Sequence, residues 1–151
     1  MIYLGSDHAG FAMKEEIRAY LAKRDFEVED LGAFSLQEQD DYPDFILPVA
    51  KRVAEEPAVH RGIILGGSGQ GEAIAANKVK GVRAACYYGG PEEIVEVART
   101  HNDANVLSLG ARFLSSEEAL RAVRLFLDTP FEGERHERRL EKIRKFEEGS
   151  A

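Results

Sequence analysis

The chain has little cysteine and no long apolar run, and both absences restrict what it can be. A single cysteine, Cys86, excludes an internal disulfide framework and suits a reducing compartment. No apolar run approaches the roughly 18 residues that a membrane span needs. Residues 1–7 lack the basic stretch and the cleavage site of a signal peptide. We therefore expect a cytoplasmic protein that does not interact with a membrane.

Positive charge is also in deficit, because 20 lysine and arginine residues face 27 aspartate and glutamate residues, a net charge of −7. A nucleic-acid-binding protein normally shows a broad basic face, so the composition argues against a nucleic-acid partner. Hydrophobic residues make up 44% of the chain, which is typical of a globular domain and too many for a disordered one. With 151 residues, we expect one domain over residues 1–151.

Short apolar runs alternate with helical patterns along the whole chain. The predicted strands are residues 2–6, 26–31, 61–65, 82–87 and 105–109, and the predicted helices are residues 10–23, 44–55, 70–79, 92–101, 116–127 and 134–148. The third and fifth strands are almost wholly apolar, as strands covered on both faces should be. This alternation predicts a Rossmann-like α/β fold, with a doubly wound, five-stranded parallel sheet, helices on both faces and a C-terminal helix.

In such folds ligands bind outside the carboxyl ends of the strands, and a glycine-rich segment follows the third strand. Four glycines occupy six positions: Gly66, Gly67, Gly69 and Gly71. Glu72 stands where a Walker A lysine would follow, and the spacing also departs from the dinucleotide fingerprint. A tight turn with an acidic residue in the next helix would explain one or two glycines. We favour an oxyanion-binding loop with Glu72 as an ionisable carboxylate beside it.

Two other strand ends supply polar side chains. Asp7 and His8 follow the first strand, where they could orient and polarise a substrate hydroxyl. Asp7 could equally cap the next helix, with His8 as a surface residue, and the pattern leaves both interpretations open. Arg112 follows the fifth strand and lies within reach of the same edge of the sheet.

The C-terminal helix carries an unusual pair of arginines. Arg135 and Arg139 are four residues apart, and neither has a carboxylate four residues away, so they repel unless an anion lies between them. A phosphate would satisfy both guanidinium groups, although a solvated basic helix end is the alternative.

His101 and Asn102 end the fourth helix and precede the fifth strand, which puts them at the opposite edge of the sheet from Glu72. Within one chain, His101 could only be a helix C-terminal histidine stabilised by the dipole. If it is catalytic, it belongs to a neighbouring subunit's site, which requires a dimer. The four histidines and one cysteine show no metal-ligand spacing, so we predict no metal site.

Five segments in chain order resemble the type B ribose-5-phosphate isomerases, a family that also includes the galactose-6-phosphate isomerase subunits. They are residues 6–10, 41–43, 66–78 (GGSGQGEAIAANK), 101–105 and 135–136. The match runs over nearly the whole chain, and the GSGxGxxIAANK and HNxxN segments are specific to the family. The family is metal-free and doubly wound, with sites shared between subunits. The resemblance therefore implies a homodimer or a dimer of dimers, with no cofactor.

The resemblance also implies the reaction, an interconversion of D-ribose 5-phosphate and D-ribulose 5-phosphate through a cis-enediolate, as in the pentose phosphate pathway. One branch of the family has a cysteine base at the end of the third strand, where this chain has Gly66. The other has glycine there and a glutamate just after the loop, which this chain supplies as Glu72. The base is therefore expected to be Glu72, and Cys86 does not replace the missing thiol.

The remaining roles follow from the same resemblance. Backbone N–H groups of residues 67–71, including Gly67, Gly69 and Gly71, would stabilise the enediolate together with Ser68. His101 would help to open the sugar ring with assistance from Asp7, and Asn102 would stabilise charge. Tyr42 would line the pocket. The candidates for binding the phosphate are His8, Arg112, Arg135 and Arg139.

Two alternatives remain open from the sequence. One is an isomerase of another aldose phosphate, such as a hexose 6-phosphate or a tetrose phosphate, which depends on the depth of the pocket. The other is a non-catalytic flavodoxin-like module that binds a phosphorylated sugar without turnover.

Overall fold

The computed structural model describes residues 1–149 and contains five strands and six α-helices. The strands are β1 (Ile2–Ser6), β2 (Val28–Asp30), β3 (Arg61–Gly66), β4 (Ala84–Tyr87) and β5 (Val106–Gly110). The helices are α1 (Phe11–Lys23), α2 (Pro43–Glu55), α3 (Gln70–Ala76), α4 (Glu93–Thr100), α5 (Ser116–Asp128) and α6 (Arg135–Glu147). All strand pairs are parallel, in the order β2-β1-β3-β5-β4. The predicted doubly wound fold is confirmed.

Helices cover both faces of the sheet, and each face has its own apolar core. Successive residues of a strand point to opposite faces, so Tyr3 and Leu4 of β1 enter different cores. Leu4 packs in the core of α1, α4 and α5, which includes Phe126, and Tyr3 packs in the core of α2 and α3. Within residues 1–149, no helix is both long enough and apolar enough to cross a membrane.

The order of the strands determines where the sheet leaves room for a ligand. The chain runs from β1 outward to β2 and then crosses to β3 on the other side of β1. This reversal leaves a crevice between the carboxyl ends of β1 and β3, where doubly wound folds bind their ligands. The residues after β1 and β3 therefore face one another across the crevice.

The long connection from β2 to α2 lies beside this crevice, and a buried ion pair holds its start. The Lys14 side chain is fully buried, and its Nζ lies 2.5 Å from Asp30 Oδ2. The other oxygen of Asp30 accepts a hydrogen bond from the Gly32 backbone N–H at 2.9 Å. A buried ammonium group requires such a partner, since an unpaired buried charge is strongly destabilising. The pair thus fixes where the connecting loop leaves the sheet.

Candidate functional site

Glu72 lies in the first turn of α3, and its carboxylate occupies the space beside Gly66 at the end of β3. A Cβ atom added at Gly66 would overlap Glu72 Oε1 and Cδ. Glycine at position 66 is therefore a steric requirement of the buried carboxylate. The glutamate carboxylate takes up the room that a side chain at residue 66 would need.

Glu72 is only 4% exposed, and its surroundings change the pKa of its carboxyl group. Burial raises the pKa of Glu72 above that of an ordinary glutamate, and the negative charge of Asp7 raises it further. The backbone amides of Glu72 and Gly69 act in the opposite direction. A general base is most effective when its pKa lies near the working pH, so this environment suits proton abstraction.

Asp7 serves as a cap. Its Oδ1 accepts hydrogen bonds from the backbone N–H groups of Ala9 at 3.0 Å and Gly10 at 3.3 Å, at the start of the short 3₁₀ turn His8–Gly10. The capping interpretation is therefore correct for this oxygen. The side chain is buried and close enough to Glu72 to affect its pKa, so the same carboxylate also faces the crevice.

Side chains from β4 and β5 contact the backbone carbonyls of the glycine-rich loop. Gly69, the residue just before α3, has a φ of 77°, in the left-handed region that favours glycine. Ser108 of β5 donates a 2.6 Å hydrogen bond to the Gly69 carbonyl, and the Cys86 thiol lies 3.6 Å from the Ser68 carbonyl. Ser68 Oγ accepts the Gln70 N–H at 3.2 Å. The backbone amides of the loop are thus fixed before any anion binds, as an oxyanion site requires.

Cys86 stands next to this loop but is poorly suited to act as a base. Burial raises the pKa of its thiol to about 11, and the charge of Glu72 adds to the effect. The thiol therefore stays protonated at neutral pH, and a thiol is a weak base compared with its thiolate. This chemistry agrees with the expectation that Cys86 does not replace the cysteine of the other branch.

Three further predicted residues surround the loop. A Cβ at Gly67 would lie 2.9 Å from Arg112 Nη1, and one at Gly71 would lie 2.6 Å from the Tyr42 hydroxyl. His8 lies across the crevice, close enough to Arg112 for the two positive charges to oppose each other. The structure thus brings one group of predicted residues to the carboxyl edge: Asp7, His8, Tyr42, Gly67, Ser68, Gly69, Gly71, Glu72 and Arg112.

The other four predicted residues lie at the amino edge of the sheet. His101 follows the last turn of α4, Asn102 is the next residue, and Arg135 and Arg139 are exposed on α6. The five residues of β5 separate the two edges, a distance of about 16 Å. Arg135 and Arg139 therefore belong with His101, and no movement of side chains alone would bring these groups to Glu72.

His136, which was not predicted as a site residue, ties this second group together. Its ring stacks on that of His101 with centroids 4.2 Å apart, and it is 97% buried. Burial lowers the pKa of His136, as do the charges of Arg135, His101 and Arg139. The amino edge therefore carries a compact cluster of two histidines and two arginines, which we call the amino-edge cluster: His101, Arg135, His136 and Arg139.

His101, Glu132 and His136 also place donor atoms within 4.8 Å of one another. The two imidazole rings are stacked at an interplanar angle of 16°. Imidazole lone pairs lie in the ring planes, so two stacked rings do not direct them at one ion. The absence of a metal site stays a prediction, and spacing along the sequence could not have revealed this grouping from separate elements.

Asp40 is the second contributor that sequence reasoning missed. Its Oδ1 lies 2.7 Å from His8 Nδ1 and accepts the His8 backbone N–H at 3.0 Å. The two residues are 32 positions apart, and Asp40 lies in an irregular loop without periodicity. The only signal was the acidic character of that loop beside the site.

Comparisons with known proteins agree with this arrangement. A model of the Ribose/Galactose Isomerase family matches residues 2–143. The chain is 44% identical to ribose-5-phosphate isomerase B of Mycolicibacterium paratuberculosis, covering 97% of this chain and 91% of that protein. The structure of ribose-5-phosphate isomerase B from Mycoplasma genitalium with bound ribulose-5-phosphate superimposes with a TM-score of 0.94 at 42% identity, covering 97% and 95% of the chains. The structure of Clostridium thermocellum ribose-5-phosphate isomerase B superimposes with a TM-score of 0.92 at 43% identity, covering 99% of both chains. The resemblance inferred from the motifs is confirmed, and the chain belongs to the ribose/galactose isomerase family.

Proposed function

We propose that this chain is an aldose–ketose isomerase that interconverts D-ribose 5-phosphate and D-ribulose 5-phosphate, a reaction of the pentose phosphate pathway. The observation that carries the proposal is the buried Glu72 carboxylate, seated against Gly66 at the start of a rigid, glycine-rich loop. The names of the relatives and the ribulose-5-phosphate bound in the Mycoplasma genitalium structure support a pentose phosphate as the substrate. The isomerase domain would extend over residues 1–151, of which the family model matches 2–143.

Glu72 removes the proton from C2 of the open-chain aldose, and the electron pair moves toward C1 to give a cis-enediolate. The protonated Glu72 then returns the proton to C1, while O1 gains a proton and O2 loses one. The backbone amides of Gly67, Gly69 and Gly71, with Ser68, stabilise the negative oxygen. Because the loop is already ordered, little reorganisation is needed when charge develops.

The phosphate is bound away from the reacting carbons, and this binding energy positions C2 over the base. His8 and Arg112 supply cationic groups at the carboxyl edge, where Tyr42 lines the crevice. Arg135 and Arg139 supply two more guanidinium groups from the amino-edge cluster. Ring opening is assigned to His101 with Asp7, and charge stabilisation to Asn102.

These assignments require a second copy of the chain. The amino-edge cluster and Glu72 lie at opposite edges of the sheet, which β5 alone separates by about 16 Å, so the cluster cannot complete the same subunit's site. Large apolar side chains stay exposed on α3 and α6, namely Ile74, Ile143 and Phe146, which are 63%, 50% and 73% exposed. Exposed apolar surface of this kind is typical of protein interfaces. We therefore propose a homodimer, alone or paired into a dimer of dimers, with sites shared between subunits.

The same proposal includes a metal-free and cofactor-free reaction in the cytoplasm. The oxidation of C2 is balanced by the reduction of C1, so neither proton transfer requires an external oxidant or reductant, or an electrophile beyond the amides and cationic side chains. The single cysteine suits a reducing compartment.

The test is interconversion of ribose 5-phosphate and ribulose 5-phosphate in the presence of EDTA, by wild type and Glu72→Gln. General-base catalysis contributes about 10²–10⁴-fold, so the variant should lose activity by that factor. Glu93→Gln is the matched control, since Glu93 is an exposed first-turn glutamate on α4. Its activity should equal that of wild type.

Three outcomes would change the assignment. Full activity of Glu72→Gln would remove Glu72 as the base while leaving the reaction. Turnover of a hexose 6-phosphate or tetrose phosphate instead of the pentose would change the substrate. Binding of ribose 5-phosphate with no turnover of any of these sugars would identify a binding module.

A further inference from the structure

We infer that Asp40 is a positioning residue that holds the imidazole of His8 so that Nε2–H is presented to the phosphate group of the substrate. The inference rests on the proposed function, in which His8 binds the phosphate. It adds a residue outside the sequence motifs and outside the set predicted from the resemblance. Asp40 acts only through His8 and does not touch the substrate.

The geometry fixes both the backbone and the ring of His8. A single oxygen, Asp40 Oδ1, accepts the backbone N–H of His8 at 3.0 Å and lies 2.7 Å from its Nδ1. Two contacts from one atom define the position of the residue and the rotation of its side chain. His8 follows directly from the cap residue Asp7, so the imidazole is anchored on a rigid turn.

The chemistry of the contact determines which nitrogen faces outward. A carboxylate oxygen accepts hydrogen bonds, so His8 Nδ1 must carry a proton to make this contact. Nε2 is then the nitrogen left for a ligand, because the partner of one ring nitrogen sets the state of the other. The His8 side chain is 29% exposed, whereas that of Asp40 is 10% exposed. The imidazole therefore reaches the crevice, and the carboxylate stays behind it.

The charge of Asp40 also favours the doubly protonated imidazole. The hydrogen bond with Asp40 raises the pKa of His8, and burial opposes this. The negative charges of Asp7 and Asp40 raise it further, and the positive charge of Arg112 lowers it. A protonated imidazole donates a charge-assisted hydrogen bond to phosphate, and such bonds are roughly twice as strong as neutral ones.

The second oxygen of Asp40 has an unusual environment. Oδ2 is buried and has no hydrogen-bond partner among the described residues. A buried polar atom without a partner costs free energy, so a carboxylate that served only to hold the loop would be poorly placed. The contact between Asp40 Oδ1 and His8 explains why a carboxylate occupies this position.

The first experiment titrates His8 by NMR, using the Cε1–H signal of its ring, in wild type and Asp40→Asn. The His8 signal is assigned by its loss in His8→Gln. Asparagine keeps an acceptor oxygen in nearly the same place and removes the charge, so the titration midpoint of His8 should fall. Glu38→Gln, an exposed acid on the same loop, removes the same charge and should leave the midpoint unchanged. Because no turnover is needed, this result is independent of whether the chain is an isomerase.

The second experiment measures KM and kcat for ribose 5-phosphate between pH 6 and 9. Where His8 is charged in wild type and neutral in Asp40→Asn, KM of the variant should be about five- to tenfold higher, with kcat within about twofold. At low pH, where both proteins carry a protonated His8, the KM ratio should return to about one. The titration of the substrate phosphate is common to both proteins and cancels in this ratio.

A double variant separates positioning from a merely structural role. If Asp40 acts through His8, adding Asp40→Asn to His8→Gln should leave KM unchanged, because the residue that Asp40 positions is already absent. A further rise in KM in the double variant would overturn the inference. So would an unchanged His8 midpoint in Asp40→Asn, or a KM ratio that is the same at every pH.

Discussion

The two edges of the sheet differ in charge and in construction. The carboxyl edge combines acidic and cationic groups, with Glu72, Asp7 and Asp40 beside His8 and Arg112. The amino-edge cluster carries the guanidinium groups of Arg135 and Arg139 beside two histidines, and among the described residues the carboxylate within 4 Å of it is the exposed Glu132, 3.8 Å from His136. One edge is equipped to move a proton, and the other to hold an anion. In the proposed function, each edge supplies only part of an isomerase site.

The two edges also depend on different kinds of local structure. At the carboxyl edge, a glycine makes the space for Glu72, and backbone amides supply the donors. At the amino edge, the side chains project from the end of α4 and the start of α6. A small steric change should therefore disable the first edge, whereas the second should be most sensitive to loss of the proposed second subunit.

The largest expected effect comes from adding one methyl group to the carboxyl edge. In Gly66→Ala, the new Cβ would overlap the Glu72 carboxylate and displace it. The φ of Gly66 lies outside the range that favours glycine, so an alanine backbone is not itself strained there. We expect kcat/KM to fall by about 10²–10⁴, approaching the loss of the base itself. Steady-state kinetics with ribose 5-phosphate checks this.

The control for Gly66→Ala is its thermal unfolding measured by circular dichroism. A variant that melts cooperatively yet has lost activity would support displacement of Glu72. Retention of wild-type kcat/KM in a folded variant would contradict the steric assignment.

The next prediction tests whether the two edges belong to one site across subunits. Glu72→Gln lacks the proposed base, and His101→Asn lacks the histidine proposed to open the sugar ring, so each homodimer should be nearly inactive. When the two are mixed, unfolded and refolded together, half of the dimers should be mixed, and each should contain one intact site of two. Activity should therefore return to about a quarter of that of wild type. If both edges served the same subunit, mixing would restore nothing.

Much of the fold follows from the alternation of patterns along the chain. Every predicted strand and helix is present, and the two apolar strands, β3 and β5, lie in the interior of the sheet. The differences are at element ends. The helix predicted over residues 70–79 ends at Ala76, because the Asn77 side chain pairs with both backbone groups of Ala84, at 2.8 and 3.0 Å. Such a tertiary contact leaves no periodic signal.

The site was less predictable than the fold, for a related reason. Residues next to strand ends could be located, since the carboxyl ends of parallel strands share an edge. Asp40 and His136 could not, because their partners, His8 and His101, are 32 and 35 positions away in sequence and belong to other elements. Long-range side-chain pairs of this kind depend on how loops and helix ends pack, which local propensity does not determine.

The smallest expected effect concerns the pH dependence of the base. Glu72 must be deprotonated to abstract a proton. Burial together with the charge of Asp7 raises the pKa of Glu72, so the acidic limb of the kcat/KM profile should lie above the pKa of an ordinary glutamate.

Asp7→Asn retains an acceptor for the Ala9 and Gly10 amides but removes the negative charge. The pKa of Glu72 should then fall, and the acidic limb should move to lower pH, even though the maximal rate also drops because Asp7 no longer assists ring opening. The comparison is made on profiles normalised to each protein's own maximum, with Asp25→Asn, an exposed carboxylate after α1, as the control that leaves the limb in place. If the acidic limb stays at the same pH in Asp7→Asn, the pKa of Glu72 is set by burial against Gly66 and not by the charge of Asp7.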